Sequence, residues 1–240
     1  MSTEAPVILV TGATGPLGRA VVKRFATDGA RMALVGRNRE RLDALAARAG
    51  LGDDDWMPIE VELTDAEAAT GAVAAVEARF GRVDVLLHLV GGWAGGTAVV
   101  DLEPDEVRTM LDQHLWTTFN VVRAVVPGMV ERGFGRVLAV TSPFASNPAG
   151  KGASYAIAKA AEEVLLRSLA RETANTGVTA NLVVVRTIDM RHERKTEPTP
   201  KNASWTTPEE IADAFVYLAS PAAAFMTGAT LDLNGGRFMR

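Results

Sequence analysis

The 240-residue chain has no cysteine. That excludes a disulfide framework and any thiolate metal site. Histidine is also scarce: His88, His114 and His192 stand far apart, without ligand spacing, so no metal centre is expected. No block of lysine and arginine is present, and the formal net charge is −4 with both signs interspersed. Nucleic acid and anionic membrane are therefore not expected as partners. No apolar run reaches membrane-spanning length, and Met1-Ser2-Thr3-Glu4 leads almost directly into a first strand without a signal-peptide pattern. A cytoplasmic protein is the expectation. Aromatic residues make up only 6% of the chain, and only 2 of them are tyrosine.

What is abundant is apolar and periodic. Hydrophobic residues are 48% of the chain, enough for a substantial core. Short β-branched runs recur at Val7–Thr11, Arg31–Val35, Met57–Val61, Val83–Val90, Arg136–Thr141, Val178–Val185 and Thr230–Leu233. Helical periodicity fills the gaps at about 16–28, 38–49, 65–80, 104–132, 152–175 and 207–219. Gly29, Gly50, Gly81, Gly133 and Gly177 fall where left-handed helix stops are needed. Thr207-Pro208-Glu209-Glu210 reads as a capped helix start. Strands alternating with helices imply an α/β fold, with seven mostly parallel strands covered on both faces. No break in composition divides the chain, so one domain over 1–240 is expected. The polar stretch Met190–Ser204, within a connection at about 186–206, reads as a loop over a ligand site.

Tyr155-Ala156-Ile157-Ala158-Lys159 carries the first chemical signal. Four-residue spacing on a helix puts phenol and ammonium on one face, with Cβ atoms ~5–6 Å apart. A free phenol, with pKa near ~10, exchanges protons poorly at neutral pH. A neighbouring ammonium favours the phenolate, so the pair suits proton exchange.

The second signal is a glycine-rich turn. Val7-Ile8-Leu9-Val10 runs into Thr11-Gly12-Ala13-Thr14-Gly15-Pro16-Leu17-Gly18 and then a helix. This context lets backbone approach a pyrophosphate, which rests on the helix N-terminus. The next strand ends Leu34-Val35-Gly36-Arg37-Asn38-Arg39. An acidic residue there would hold a ribose 2′-hydroxyl; Gly36 leaves that place empty, and Arg37 suits a 2′-phosphate. NADP(H) is the expected cofactor, with NAD(H) less favoured.

Together these features resemble the short-chain dehydrogenase/reductase family across nearly the whole chain. Ser142 stands thirteen positions before Tyr155, the family's serine–tyrosine spacing. Asn181 matches the family's sixth strand, and Pro208–Ala212, Tyr217–Ser220 and Thr227–Gly236 match its C-terminal signature. The resemblance implies a Rossmann-type doubly wound fold and hydride transfer to or from a carbonyl, alcohol or similar group. It implies that Tyr155 exchanges the proton, that Lys159 assists it and binds the nicotinamide ribose, and that Ser142 orients the substrate oxygen. It implies a cofactor site of Gly12, Thr14, Gly15, Leu17, Gly18, Arg37, Glu62, Leu63, Val90, Gly91, Tyr155, Lys159, Arg186 and Ile188.

The departures from the family pattern matter as much. His88-Leu89-Val90-Gly91 replaces Asn-Asn-Ala-Gly, and His114 stands where a helix asparagine completes the catalytic tetrad. His114 either joins a proton relay or is a polar helix residue. Val185-Arg186 replaces Pro-Gly, putting Arg186 near the nicotinamide or substrate, and Glu62 replaces an aspartate that contacts adenine. Gly91-Gly92-Trp93-Ala94-Gly95-Gly96 resembles the segment of dihydropteridine reductases within the same superfamily. Trp93 there either offers a face to a planar substrate or packs. The expected substrate is a small carbonyl or planar quinonoid compound, with pterin reduction as the alternative. A cofactor-binding regulatory module without turnover is the reading from a different class. The resemblance also implies a homotetramer or dimer, formed through long helices whose alanine-rich faces lie around Ala158, Ala160 and Ala161.

Overall fold

Val7–Thr11 (β1) is buried along its whole length, and everything else is arranged about it. In the computed structural model, which describes residues 5–236, β2 (Arg31–Gly36) and β3 (Trp56–Glu60) extend the sheet to one side. β4 (Val85–His88), β5 (Gly135–Thr141), β6 (Val178–Val184) and β7 (Thr230–Asp232) extend it to the other. The order is β3-β2-β1-β4-β5-β6-β7, and every pairing is parallel. Ile8 pairs with Met32 on one side and with Val85 on the other. Chain direction across the sheet reverses at β1 and β4, which opens a crevice beyond their carboxyl ends.

Alternation along β1 builds two cores. Ile8 and Val10 face α1 (Pro16–Thr27), α2 (Arg39–Ala49) and α8 (Pro208–Ala219), meeting Val21, Phe25, Leu42 and Phe215. Val7 and Leu9 face α3 (Ala66–Phe80), α5 (Thr117–Arg132) and α6 (Ala153–Glu172), meeting Val73, Val125 and Leu166. Each of these large side chains contributes about 1.5–3 kcal/mol on leaving water. The sheet is thus covered on both faces, as a Rossmann-type doubly wound fold requires.

Local signals act as the sequence indicates. Gly50, Gly81 and Gly133 end α2, α3 and α5 in the left-handed region, at φ 73°, 82° and 69°. Gly177 is required twice over: its φ is 83°, and an added Cβ would lie 2.0 Å from the Gly133 carbonyl oxygen. Thr207 and Glu210 form a reciprocal capping box at α8.

Four expectations need correction. The helix read as continuous over 104–132 is α4 (Pro104–Leu111), a π-helical turn at Asp112–Trp116, and then α5. β4 spans only Val85–His88, not Val83–Val90; the Asp84 and Leu89 N–H groups still bond the Val7 and Thr11 carbonyls, and Val90 already lines the crevice. The loop at Met190–Ser204 contains one helical turn, α7 (Glu193–Thr196), since the Asp189 carboxylate accepts from the Glu193 and Arg194 N–H groups. Ala158 is fully buried, so it is not part of an outward face on α6. Among the described residues no helix is long and apolar enough to cross a membrane.

Candidate active site

The crevice is built first by backbone. Gly12 has φ 66°, and a Cβ there would sit 2.7 Å from the Leu89 carbonyl oxygen, so the turn after β1 and the exit of β4 touch. Gly18 is equally constrained: its Cβ would lie 2.4 Å from the Ala13 carbonyl oxygen, which seats α1 against the turn. Gly15 is different. Its Cβ would meet only the Gly12 carbonyl oxygen, at 3.2 Å, and it begins α1 with no side chain capping that end. An uncapped helix start beside an open glycine suits a pyrophosphate. The residues present therefore fit a dinucleotide.

A cleft of about 330 Å³ brings most expected site residues together. Gly12, Gly15, Leu17, Gly18, Val90, Gly91, His114, Tyr155, Lys159 and Ile188 all line it. Arg37 lies at the edge, at the end of β2, with its guanidinium 83% exposed and 4.0 Å from the Glu62 carboxylate. Thr14 lies against Gly36 at the same edge. Leu63 is instead a core residue; its carbonyl accepts from Asn120 Nδ2 at 3.0 Å.

Ser142 and Arg186 do not line that cleft; they line a second cavity of about 260 Å³ with Glu163, Arg167 and Asp232. The Ser142 hydroxyl accepts from the Phe144 N–H at 3.3 Å, and Arg186 donates to Ser204 at 3.3 Å. Phe144 stands edge-on to the Tyr155 ring, at 6.2 Å between centroids. Trp93 is 66% exposed and folds over Gly95 rather than lining the cleft.

Two buried histidines flank the cleft, and hydrogen bonds fix the tautomer of His88. Thr117 gives its proton to the Gln113 carbonyl at 2.7 Å, so it accepts from His88 Nε2–H at 3.3 Å. His88 Nδ1 then accepts from the Thr11 hydroxyl at 2.9 Å. Burial, followed by the charge of Lys159 and then His114, pushes His88 down to about 3. The π-turn pushes His114 inward: a Cβ on Gly91 would lie 2.6 Å from its Cε1. His114 Nε2 lies 3.0 Å from the Gly92 carbonyl oxygen and 3.4 Å from the Gly92 backbone nitrogen, and its ring meets Tyr155 edge-on at 5.5 Å. Burial and the charge of Lys159 push it down to about 3, against the Gly92 bond. Both imidazoles are neutral near pH 7.

Lys159 is buried, and its ammonium donates to the Val140 carbonyl at 2.8 Å and to Glu162 Oε2 at 2.6 Å. Glu162 is the residue that sequence reasoning missed. Its signal was the three-residue offset from Lys159, which reads as an ordinary surface pair. In fact it is 1% exposed.

Comparison with known proteins agrees with this architecture. A family model described as enoyl-(acyl carrier protein) reductase matches residues 12–237. Subunit BbsC of (2S)-[(R)-hydroxy(phenyl)methyl]succinyl-CoA dehydrogenase from Thauera aromatica is 34% identical, over 98% of this chain and 96% of that one. The 3-oxoacyl-[acyl-carrier-protein] reductase FabG of Vibrio cholerae is 31% identical over 100% of both. Among solved structures, an oxidoreductase from Burkholderia thailandensis superposes with TM-score 0.85 at 31% identity, covering 98% of this chain and 93% of that one.

Proposed function

The chain belongs to the short-chain dehydrogenase/reductase family of oxidoreductases, and from that premise we propose an NADP(H)-dependent reductase of a small carbonyl or planar quinonoid compound, with Tyr155 exchanging the proton. One observation carries this reading: Tyr155 and Lys159 share a cleft with the glycine turn at Gly12–Gly18. The nicotinamide cofactor, when bound, supplies the hydride. The chain's own residues do the rest. Gly15 and the start of α1 receive the pyrophosphate, Arg37 receives the 2′-phosphate, and Ile188 with Val90 forms an apolar wall that excludes water. Tyr155 gives its phenolic proton to the substrate oxygen, and the Lys159 ammonium stabilises the charge left on the phenolate. Ser142 and Arg186, in the second cavity, hold the substrate's carbonyl or anionic portion.

Relatives named for a 3-oxoacyl thioester and a hydroxyacyl-CoA favour a 3-oxoacyl or 3-hydroxyacyl group over a dihydropterin. The retained tyrosine and lysine argue against a regulatory module without turnover. The same reading has the chain assembling as a homodimer or homotetramer, which exposed Trp116, Ile157 and Val164 on the outer helices support. Light scattering reads that directly.

The activity test offers NADPH or NADH with 3-oxoacyl thioesters, diketones, quinones and quinonoid dihydropterin, and follows loss of the reduced cofactor's absorbance. Oxidation of NADPH by at least one carbonyl compound is expected. Tight NADPH binding with no turnover on any of them would favour the regulatory reading, and a strong preference for NADH would remove the role given to Arg37.

A further inference from the structure

Glu162 has no part in the mechanism above, yet it sits directly behind it. Its carboxyl is enclosed by Lys159 on its own helix, Thr118 on α5 and His114 in the π-turn. The arrangement is one proton short. Thr118 has a single hydroxyl proton, and the His114 carbonyl is the nearer of its two acceptors. Glu162 Oε1 then faces the Thr118 oxygen at 3.3 Å, a meeting of two acceptors unless the carboxyl carries a proton. His114 Nδ1 lies 3.9 Å from Glu162 Oε2, beyond hydrogen-bond reach. That Nδ1 has no hydrogen-bond partner. A proton on Oε1 resolves the Thr118 contact and leaves Oε2 to accept from Lys159.

We infer that Glu162 is a proton-exchanging partner of Lys159, holding a proton at rest and yielding it as Tyr155 is re-protonated. This rests on the reading of Tyr155 above. In the reductive direction Tyr155 loses its proton to the substrate oxygen. Lys159 gives a proton to the phenolate; the Glu162 carboxyl then turns its O–H from Thr118 toward the neutral amine, and that bond breaks to restore the ammonium. The cluster ends as a carboxylate beside an ammonium, one proton poorer, and solvent returns that proton between turnovers. Electrons come only from the hydride. Glu162 touches neither substrate nor cofactor; it acts through Lys159.

The surrounding charges fit this role. Burial pushes the Glu162 carboxyl up, the charge and contact of Lys159 and the contact with Thr118 oppose that, and neighbouring Glu163 adds to it. From the other elements, His114 and His88 face the cluster as neutral rings, and α5 contributes only the uncharged Thr118.

Two readouts test this. The first is infrared spectroscopy of cofactor-free protein, comparing wild type with Glu162→Gln. The carbonyl stretch of a protonated, deuterium-exchangeable carboxylic acid is expected near pH 7 and should be missing from the variant. The second is the pH profile of reductive turnover. Wild-type kcat should fall as pH rises through the ionisation of Glu162. In Glu162→Gln that inflection disappears and kcat is at least about tenfold lower, with KM within about twofold. Glu162→Asp should restore the inflection, which a merely structural role would not require. Absence of the infrared band, or a variant profile superimposable on wild type, overturns the proposal. If Glu162→Gln does not fold, the wild-type band, assigned with Glu162→Asp, still decides. Failure of the reading of Tyr155 is seen separately, as undiminished turnover in Tyr155→Phe.

Discussion

Glu162 and Glu163 are consecutive on α6, both buried, and both paired with a cation on the same helix, yet their surroundings differ in kind. Glu163 accepts from the Thr141 hydroxyl at 2.8 Å and from Arg167 at 2.6 Å, and that arginine is 48% exposed. Its two oxygens are satisfied and its partner reaches water. Glu162 is paired with a lysine that is only 7% exposed, faces a hydroxyl whose proton is committed elsewhere, and lies near an unpartnered imidazole nitrogen. One carboxylate completes a structural network at the edge of the second cavity. The other is left incomplete beside the proposed proton donor. Adjacent residues on a helix point about 100° apart, which is enough to separate a structural group from a chemical one.

The largest expected effect that sharpens this contrast is in stability against pH. His88 and His114 are held neutral well below their ordinary value. The unfolded chain therefore binds more protons than the folded one from about pH 6.5 down to about 3, so stability falls on acidification. Between pH 7 and 5 each histidine removes about 2 kcal/mol, read by urea unfolding at the two pH values. Glu162 works in the opposite sense: its raised value contributes stability at lower pH that is lost as pH rises through it. Glu162→Gln should therefore make the acid-side loss steeper. An unchanged slope would mean that Glu162 is ionised in both states.

Truncation comes next. Glu162→Ala deprives a buried ammonium of a charge-assisted bond, with an expected loss of about 2–3 kcal/mol. Glu163→Ala leaves Arg167 free to reach solvent and should lose only about 1 kcal/mol. Equal losses, compared by urea unfolding, would erase the distinction between the two residues. A Gly91→Ala substitution attacks the Glu162 side alone. Its Cβ would press on His114 Cε1 at 2.6 Å, and a loss of about 1–3 kcal/mol is expected from overpacking. The smallest effect is at the rim, where Arg37→Ala should weaken NADPH by about tenfold and leave NADH within about twofold by titration calorimetry.

Much of the framework was legible in the sequence because it depends on local rules. Short continuous apolar, β-branched runs mark the strands, Gly50, Gly81 and Gly133 stop helices where left-handed backbone is needed, and Thr207 with Glu210 starts one. The glycine turn and the Tyr155–Lys159 pair were legible for the same reason. What was not legible depends on non-local contact. The π-turn at Asp112–Trp116 is a shift in hydrogen-bond register that leaves apolar periodicity nearly intact, so 104–132 reads as one helix. The inward placement of His114 follows from that turn meeting Gly91. Glu162 reads as solvated because nothing near it in sequence shows that Thr118 and His114 cover it. Ser142 stands at the family spacing, but which cavity it lines is set by the turn at Pro143–Ala145 that its own hydroxyl caps.

Single-turnover NADPH oxidation with a 3-oxoacyl thioester, comparing wild type with Tyr155→Phe, tests the central claim most directly. The expected result is a stoichiometric loss of NADPH in wild type. In the variant, NADPH should bind with affinity within about twofold of wild type while oxidation is at least about 100-fold slower. Equal rates in the two proteins would contradict a proton transferred at Tyr155.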